Sequence, residues 1–92
     1  MAIKNNHWVV FATRWFDKRN GNTYHTVRLY KNSSLFTSKH FTYGYGSHYE
    51  QTAMELLLEN NETESKSLYE FVQENDGNVL IICRDVTNKK NL

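Results

Sequence analysis

His25, His40, His48 and Cys83 are the side chains of this sequence best suited to metal or nucleophilic chemistry. Three imidazoles brought together would suit a transition metal. Their spacing matches no zinc signature, and cross-strand histidines commonly serve without metal, so neither a metal nor a cofactor is expected. Cys83 lies in the apolar run from Val79 to Cys83, where a thiol acts as a small hydrophobe rather than a nucleophile. As the lone cysteine it can form no intramolecular disulfide. The other His and Tyr are scattered. No clustered acid and base is legible, and no enzymatic activity is expected.

A different chemistry is written into Tyr43-Gly44-Tyr45-Gly46-Ser47-His48-Tyr49. Glycines let a backbone approach a ligand closely, and a helix N-terminus offers free N–H groups to an anion. Gly44, Gly46 and Ser47 could hold a phosphate while Tyr43 and Tyr45 sandwich a base or sugar. The loop lacks the Gly-Lys-Ser/Thr ending of a Walker loop, and a glycine turn before a helix is most often only a turn.

Charge is split along the sequence. Residues 1–45 hold seven Lys or Arg and one acid, a balance of +6, with most of the aromatic residues. Residues 46–92 hold four Lys or Arg and nine acids, a balance of −5. The formal net charge of +1 therefore hides a basic aromatic half and an acidic half. Such a split presents one face to an anion and repels it from the other.

The elements that must position these groups follow from pattern and punctuation. His7 to Phe16, Thr23 to Lys31 and Leu35 to Tyr43 are rich in β-branched and aromatic residues and read as strands. Asn20-Gly21 reads as a two-residue type I′ turn, and Asn32-Ser33 as a second turn. Ser47 with Glu50, and Ser67 with Glu70, have the spacing of capping boxes. They predict a helix from Ser47 to about Glu59 and a shorter one from Ser67 to about Asn75, with a polar loop from Asn60 to Lys66. Asn78 to Val86 is apolar on both faces and reads as an interior strand. The expected fold is α+β: a three-stranded antiparallel meander, two helices on one face and a fourth strand completing the sheet, in the order βββααβ. The 92 residues suit a single domain, 1–92, with 1–6 and 87–92 frayed at its ends.

The turn sets which residues share a face. A two-residue turn at Asn20-Gly21 pairs Trp15 with Thr26 and Phe11 with Tyr30. The second turn then pairs Tyr30 with Leu35, Tyr24 with Phe41 and His25 with His40. One face collects Trp8, Val10, Ala12, Phe16, Val27, Leu29 and Phe36 for the helices. The other collects Phe11, Thr13, Trp15, Tyr24, Thr26, Arg28, Tyr30, Lys39, Phe41 and Tyr43. An aromatic sheet face without helices over it marks an interaction site.

That face, with Arg14, Arg28, Lys39 and His40 for charge and Trp15, Tyr24, Tyr43 and Tyr45 for stacking, resembles in chemistry the sheets on which RNA-recognition domains stack bases. None of their short motifs is present. The reading is a small non-enzymatic binding module for nucleic acid or a nucleotide. The alternative is an accessory protein of a phage or mobile element that inhibits a host protein by direct contact. A proline-free sequence rich in Asn and Lys hints at an AT-rich coding genome. A homodimer through the aromatic face (Phe11, Trp15, Tyr30 and Phe41) or the edge strand of the sheet is also expected. No run approaches the length of a membrane span and no leader is legible, so a cytoplasmic location (the host cytoplasm if viral) is expected.

Overall fold

The computed structural model describes residues 6–92. The frayed start expected at residues 1–6 falls almost wholly on residues outside the described ones. Three strands open the chain: β1 (Trp8–Asp17), β2 (Asn22–Lys31) and β3 (Ser34–Tyr43). Helices α1 (His48–Glu59) and α2 (Leu68–Glu74) follow, then β4 (Val79–Val86) and a 3-10 turn at Lys89–Asn91. The sheet order is β3-β2-β1-β4, with β4 parallel to β1 and the other pairs antiparallel. The expected α+β order is the one observed.

The first turn differs from the expected one. Asp17 pairs with Asn22, so four residues rather than two make the loop. The Asp17 carboxylate organises it, accepting the Arg19 N–H at 3.0 Å and the Asn20 side-chain amide at 2.8 Å. These bonds hold the Asp17 carboxyl below its ordinary range, the Asn20 side chain contributing most. Only Gly21 takes a left-handed φ, +70°, and its N–H reaches Asp17 O at 2.7 Å. The type I′ signature falls instead on the second turn, where Asn32 and Ser33 have φ of 51° and 72°.

The longer loop shifts β1 against β2 by two residues. Trp15 therefore meets Tyr24, and Phe11 meets Arg28. A shift of two leaves every side chain on its expected face, because the strand period is two. On the helix side, Trp8, Val10, Ala12, Val27 and Leu29 pack with Ala53, Met54, Leu56, Leu57, Leu68 and Phe71. Trp8 anchors this core, its ring edge-on to Phe36 at 5.6 Å and to Phe71 at 5.5 Å. Lys31 closes the edge, bonding Glu62 at 2.7 Å with its ammonium 5.3 Å from the Trp8 ring. Phe16, expected in the core, is 52% exposed at the end of β1.

β3 carries two bulges. His40 and Phe41 together oppose Thr26, and Phe36 is the extra residue between the pairs Leu29–Thr37 and Tyr30–Leu35. Tyr24 thus pairs with Tyr43 rather than Phe41, and His25 with Thr42 rather than His40. β4 is an edge strand, not an interior one. The tail does not fray: Leu92 is 3% exposed and Arg28 Nη2 donates to its carbonyl at 3.2 Å.

Candidate functional site

The sheet face without helices is the candidate site. β1 and β2 supply Val9, Phe11, Thr13, Trp15, Tyr24, Thr26, Arg28 and Tyr30 by alternation, and β4 adds Leu80, Ile82, Arg84 and Val86 through its parallel register. The rings form two groups. In the first, Tyr24 is sandwiched between Trp15 at 6.0 Å and Phe41 at 4.5 Å, both nearly parallel to it. Tyr43 stands edge-on to Tyr24 at 5.8 Å. Phe41 reaches this stack because the bulge turns its backbone to φ 56°. Thr26 Oγ1 fixes that bulge, accepting the Phe41 N–H at 3.2 Å while His40 Nδ1 lies 3.0 Å away. Lys89 lays its ammonium 4.7 Å from the Phe41 ring.

The second group is an open apolar hollow of about 460 Å³ lined by Val9, Phe11, Tyr30, Ile82 and Arg84. The C-terminal turn and Leu92 lie between, reaching Arg28 on β2 and Phe41 on β3. Thr13 and Thr26, at the middle of the face, are buried. The Thr13 hydroxyl has no hydrogen-bond partner among the described residues.

The expected cations divide between the two faces. Arg28 is on the aromatic face, committed to the Leu92 carbonyl. Lys39, expected beside the rings, pairs with Val27 and turns toward α1, 3.9 Å from Glu55. The extra residue Phe36 causes the exchange by setting Ser38 opposite Arg28 and Lys39 opposite Val27, and the bulge at His40 and Phe41 then returns Phe41 and Tyr43 to the aromatic face. Arg14 also points to the helix side, bonding Asp85 at 2.7 Å and Gly46 O at 2.8 Å. The Asp85 bond raises the Arg14 pKa further. Asp85 is thus Arg14's partner, not that of its neighbour Arg84. Arg84 and Lys89 were not singled out from the sequence, yet they are the cations that rim the aromatic face.

The glycine loop is built as a joint. Gly44 N–H donates to Thr23 O at 3.0 Å, His48 N–H to Tyr45 O at 3.2 Å and Glu50 N–H to Ser47 O at 2.9 Å. These donors are spent inside the chain rather than aimed at an anion. Ser47 makes no side-chain cap bond to α1, whereas Ser67 accepts from Glu70 N–H and the Glu70 carboxylate from Lys66 N–H. Gly44 is required by contact, since a Cβ there would sit 2.6 Å from the His48 ring. Tyr45 is 74% exposed, clear of the stacked rings.

The histidines split likewise. His25 is fully buried on the helix side. Its Nδ1–H donates to Gly44 O at 3.2 Å, because a carbonyl can only accept. Nε2 is therefore the acceptor for the Thr52 hydroxyl at 2.6 Å. Burial, first, pushes the His25 pKa down. His48 packs 5.5 Å from this ring, but His40 is on the other face, so the three imidazoles do not converge. Burial pushes the Cys83 thiol up, away from the thiolate a nucleophile needs. Among the described residues no helix is long and apolar enough to cross a membrane. In comparisons with known proteins, the chain matches no family model, no curated protein and no solved structure.

Proposed function

We propose that this protein is a small non-enzymatic binding module that docks a protein partner on its helix-free sheet face. The ring arrangement carries the reading. Both faces of Tyr24 are taken by Trp15 and Phe41, and Lys89 lies over Phe41. A base would find no free face on Tyr24 itself, whereas a protein surface packs well on edges and half-buried rings. The apolar hollow at Phe11, Tyr30 and Ile82 offers a seat for a partner's anchor side chain. The proline-free, Asn- and Lys-rich composition supports an accessory protein of a phage or mobile element, with a host protein as the partner.

Capture from a nuclease-treated lysate tests this directly. A specific protein should be retained by the wild type and lost with both Trp15→Ala and Tyr30→Ala. Retention by both variants would overturn the reading.

Nucleic acid or a nucleotide is the second reading, favoured by Arg84 and Lys89 standing on this face while the acids of α1 and α2 lie on the other side. It requires binding that weakens steeply with salt and a shallower salt slope in Arg84→Ala and Lys89→Ala. A gel shift at two salt concentrations separates it from protein docking.

A further inference from the structure

We propose that β4 is a dimer seam, pairing antiparallel with β4 of a second copy about a twofold axis at Ile81. The two edges of this sheet are built differently. β3 is broken by two bulges and carries Lys39, devices that keep an edge from pairing. β4 runs beside β1 without a register shift. From Val79 to Cys83 it has neither charge nor proline. It is apolar on both faces, as a strand covered on both sides would be. Yet Leu80 on one face is 57% exposed and Ile81 on the other 38%. The pattern belongs to an interior strand, and a partner strand would make it one.

Among the described residues no strand pairs with the outer edge of β4, and that edge is ready for pairing. Trp8 N–H donates to Asn78 O at 2.9 Å, so by alternation the even residues of β4 bond β1. The N–H and C=O of Val79, Ile81 and Cys83 therefore face outward. The side chains select a second copy as the occupant because the strand is self-complementary. With the axis at Ile81, Ile81 meets the partner's Ile81, Leu80 meets the partner's Ile82 and Val79 meets the partner's Cys83. Arg84 then falls opposite the partner's Asn78. Moving the axis to Ile82 would set Arg84 against the partner's Leu80 and Asp85 against the partner's Val79. The apolar match thus fixes the register as well as the occupant. The seam leaves the Trp15–Tyr24–Phe41 stack untouched and borders the apolar hollow at Ile82; it is argued from the β4 edge alone and does not rest on the docking role proposed above.

The test is sedimentation of the full chain combined with cross-linking. Wild type should sediment as a dimer. Ile81→Lys sets two ammonium groups together at the axis and should weaken association about tenfold or more, with the far-ultraviolet spectrum unchanged. If Ile81→Lys fails to fold, Ile81→Cys in a Cys83→Ser background gives a second reading. The hydrogen-bonded pair at the axis places Cα atoms about 5.5 Å apart, within disulfide range. That variant should cross-link under mild oxidation, and Leu35→Cys in the same background should not. A monomeric wild type overturns the seam. So does equal cross-linking through Leu35→Cys, or a dimer that Trp15→Ala dissociates and Ile81→Lys does not.

Discussion

His25 shows how one buried polar residue constrains its surroundings. Its ring ties β2 to α1 through Thr52 and to the entry loop through Gly44. Both bonds suit the neutral ring, and burial lowers its pKa below the ordinary 6.5. An unfolded chain would then bind a proton that the folded one refuses. Stability is full above about pH 6.5 and falls as pH drops from there toward the lowered folded value. Asp17 acts lower, below its ordinary 3.8, so the two windows are distinct. Denaturation at pH 7.5 and 5.5 should show the loss, and a proton titration should place the His25 ring below 6.5. Thr52→Val removes the hydroxyl that Nε2 accepts and should cost about 1–3 kcal/mol at neutral pH while raising the ring's pKa. A His25 titrating at or above 6.5 would contradict this account. None of it was legible beforehand, because the sequence pairing that set His25 against His40 assumed a β3 without a bulge.

Elements show where local signals succeed. The Ser67 and Glu70 spacing yields a real side-chain cap, with the Glu70 carboxylate accepting from Lys66 N–H one residue before the cap, while the same spacing at Ser47 and Glu50 does not. The difference lies in the Ser47 backbone, which has φ −92° and ψ 15° instead of the extended geometry of Ser67. Gly44 locked against His48, and the turn bonds that follow, settle the entry to α1 without help from the hydroxyl. Ser67→Ala should therefore cost about 1 kcal/mol, and Ser47→Ala less than about 0.5, in chemical denaturation. Equal costs would mean that Ser47 caps in solution. Turns were harder to read. Asn20-Gly21 carries the hairpin signature, but the Asp17 carboxylate three residues upstream recruits the Arg19 N–H and the Asn20 side-chain amide, the Gly21 N–H goes to the Asp17 carbonyl, and the loop lengthens. The faces survived only because the slip was even. The tail misled for another reason: a single terminal Leu gives no periodicity. Leu92→Ala should cost about 2 kcal/mol, toward the low end for a buried leucine, since it lies on an open face.

At the scale of the whole molecule, the charge split of the sequence becomes a split between layers, though not the one its halves suggest. Arg14, Lys31 and Lys39 turn to the helix side and meet Asp85, Glu62 and Glu55. Much of the basic half is thus neutralised across the fold. The far face is left aromatic, with Arg28, Arg84 and Lys89 about it. The two tryptophans report these two environments separately. Trp8 is 2% exposed in the helix-side core, and Trp15 is only half-buried on the open face. Iodide should quench the fluorescence of Trp8→Phe, where Trp15 remains, and scarcely touch Trp15→Phe. Trp8→Ala should cost about 3–5 kcal/mol and unfold so small a domain, while Trp15→Ala should keep its helix content. Docking of a partner on the aromatic face should then shield Trp15 from iodide and leave Trp8 unchanged. If the two residues are equally shielded in the free protein, the open face is already covered, and the site must be sought elsewhere on the molecule.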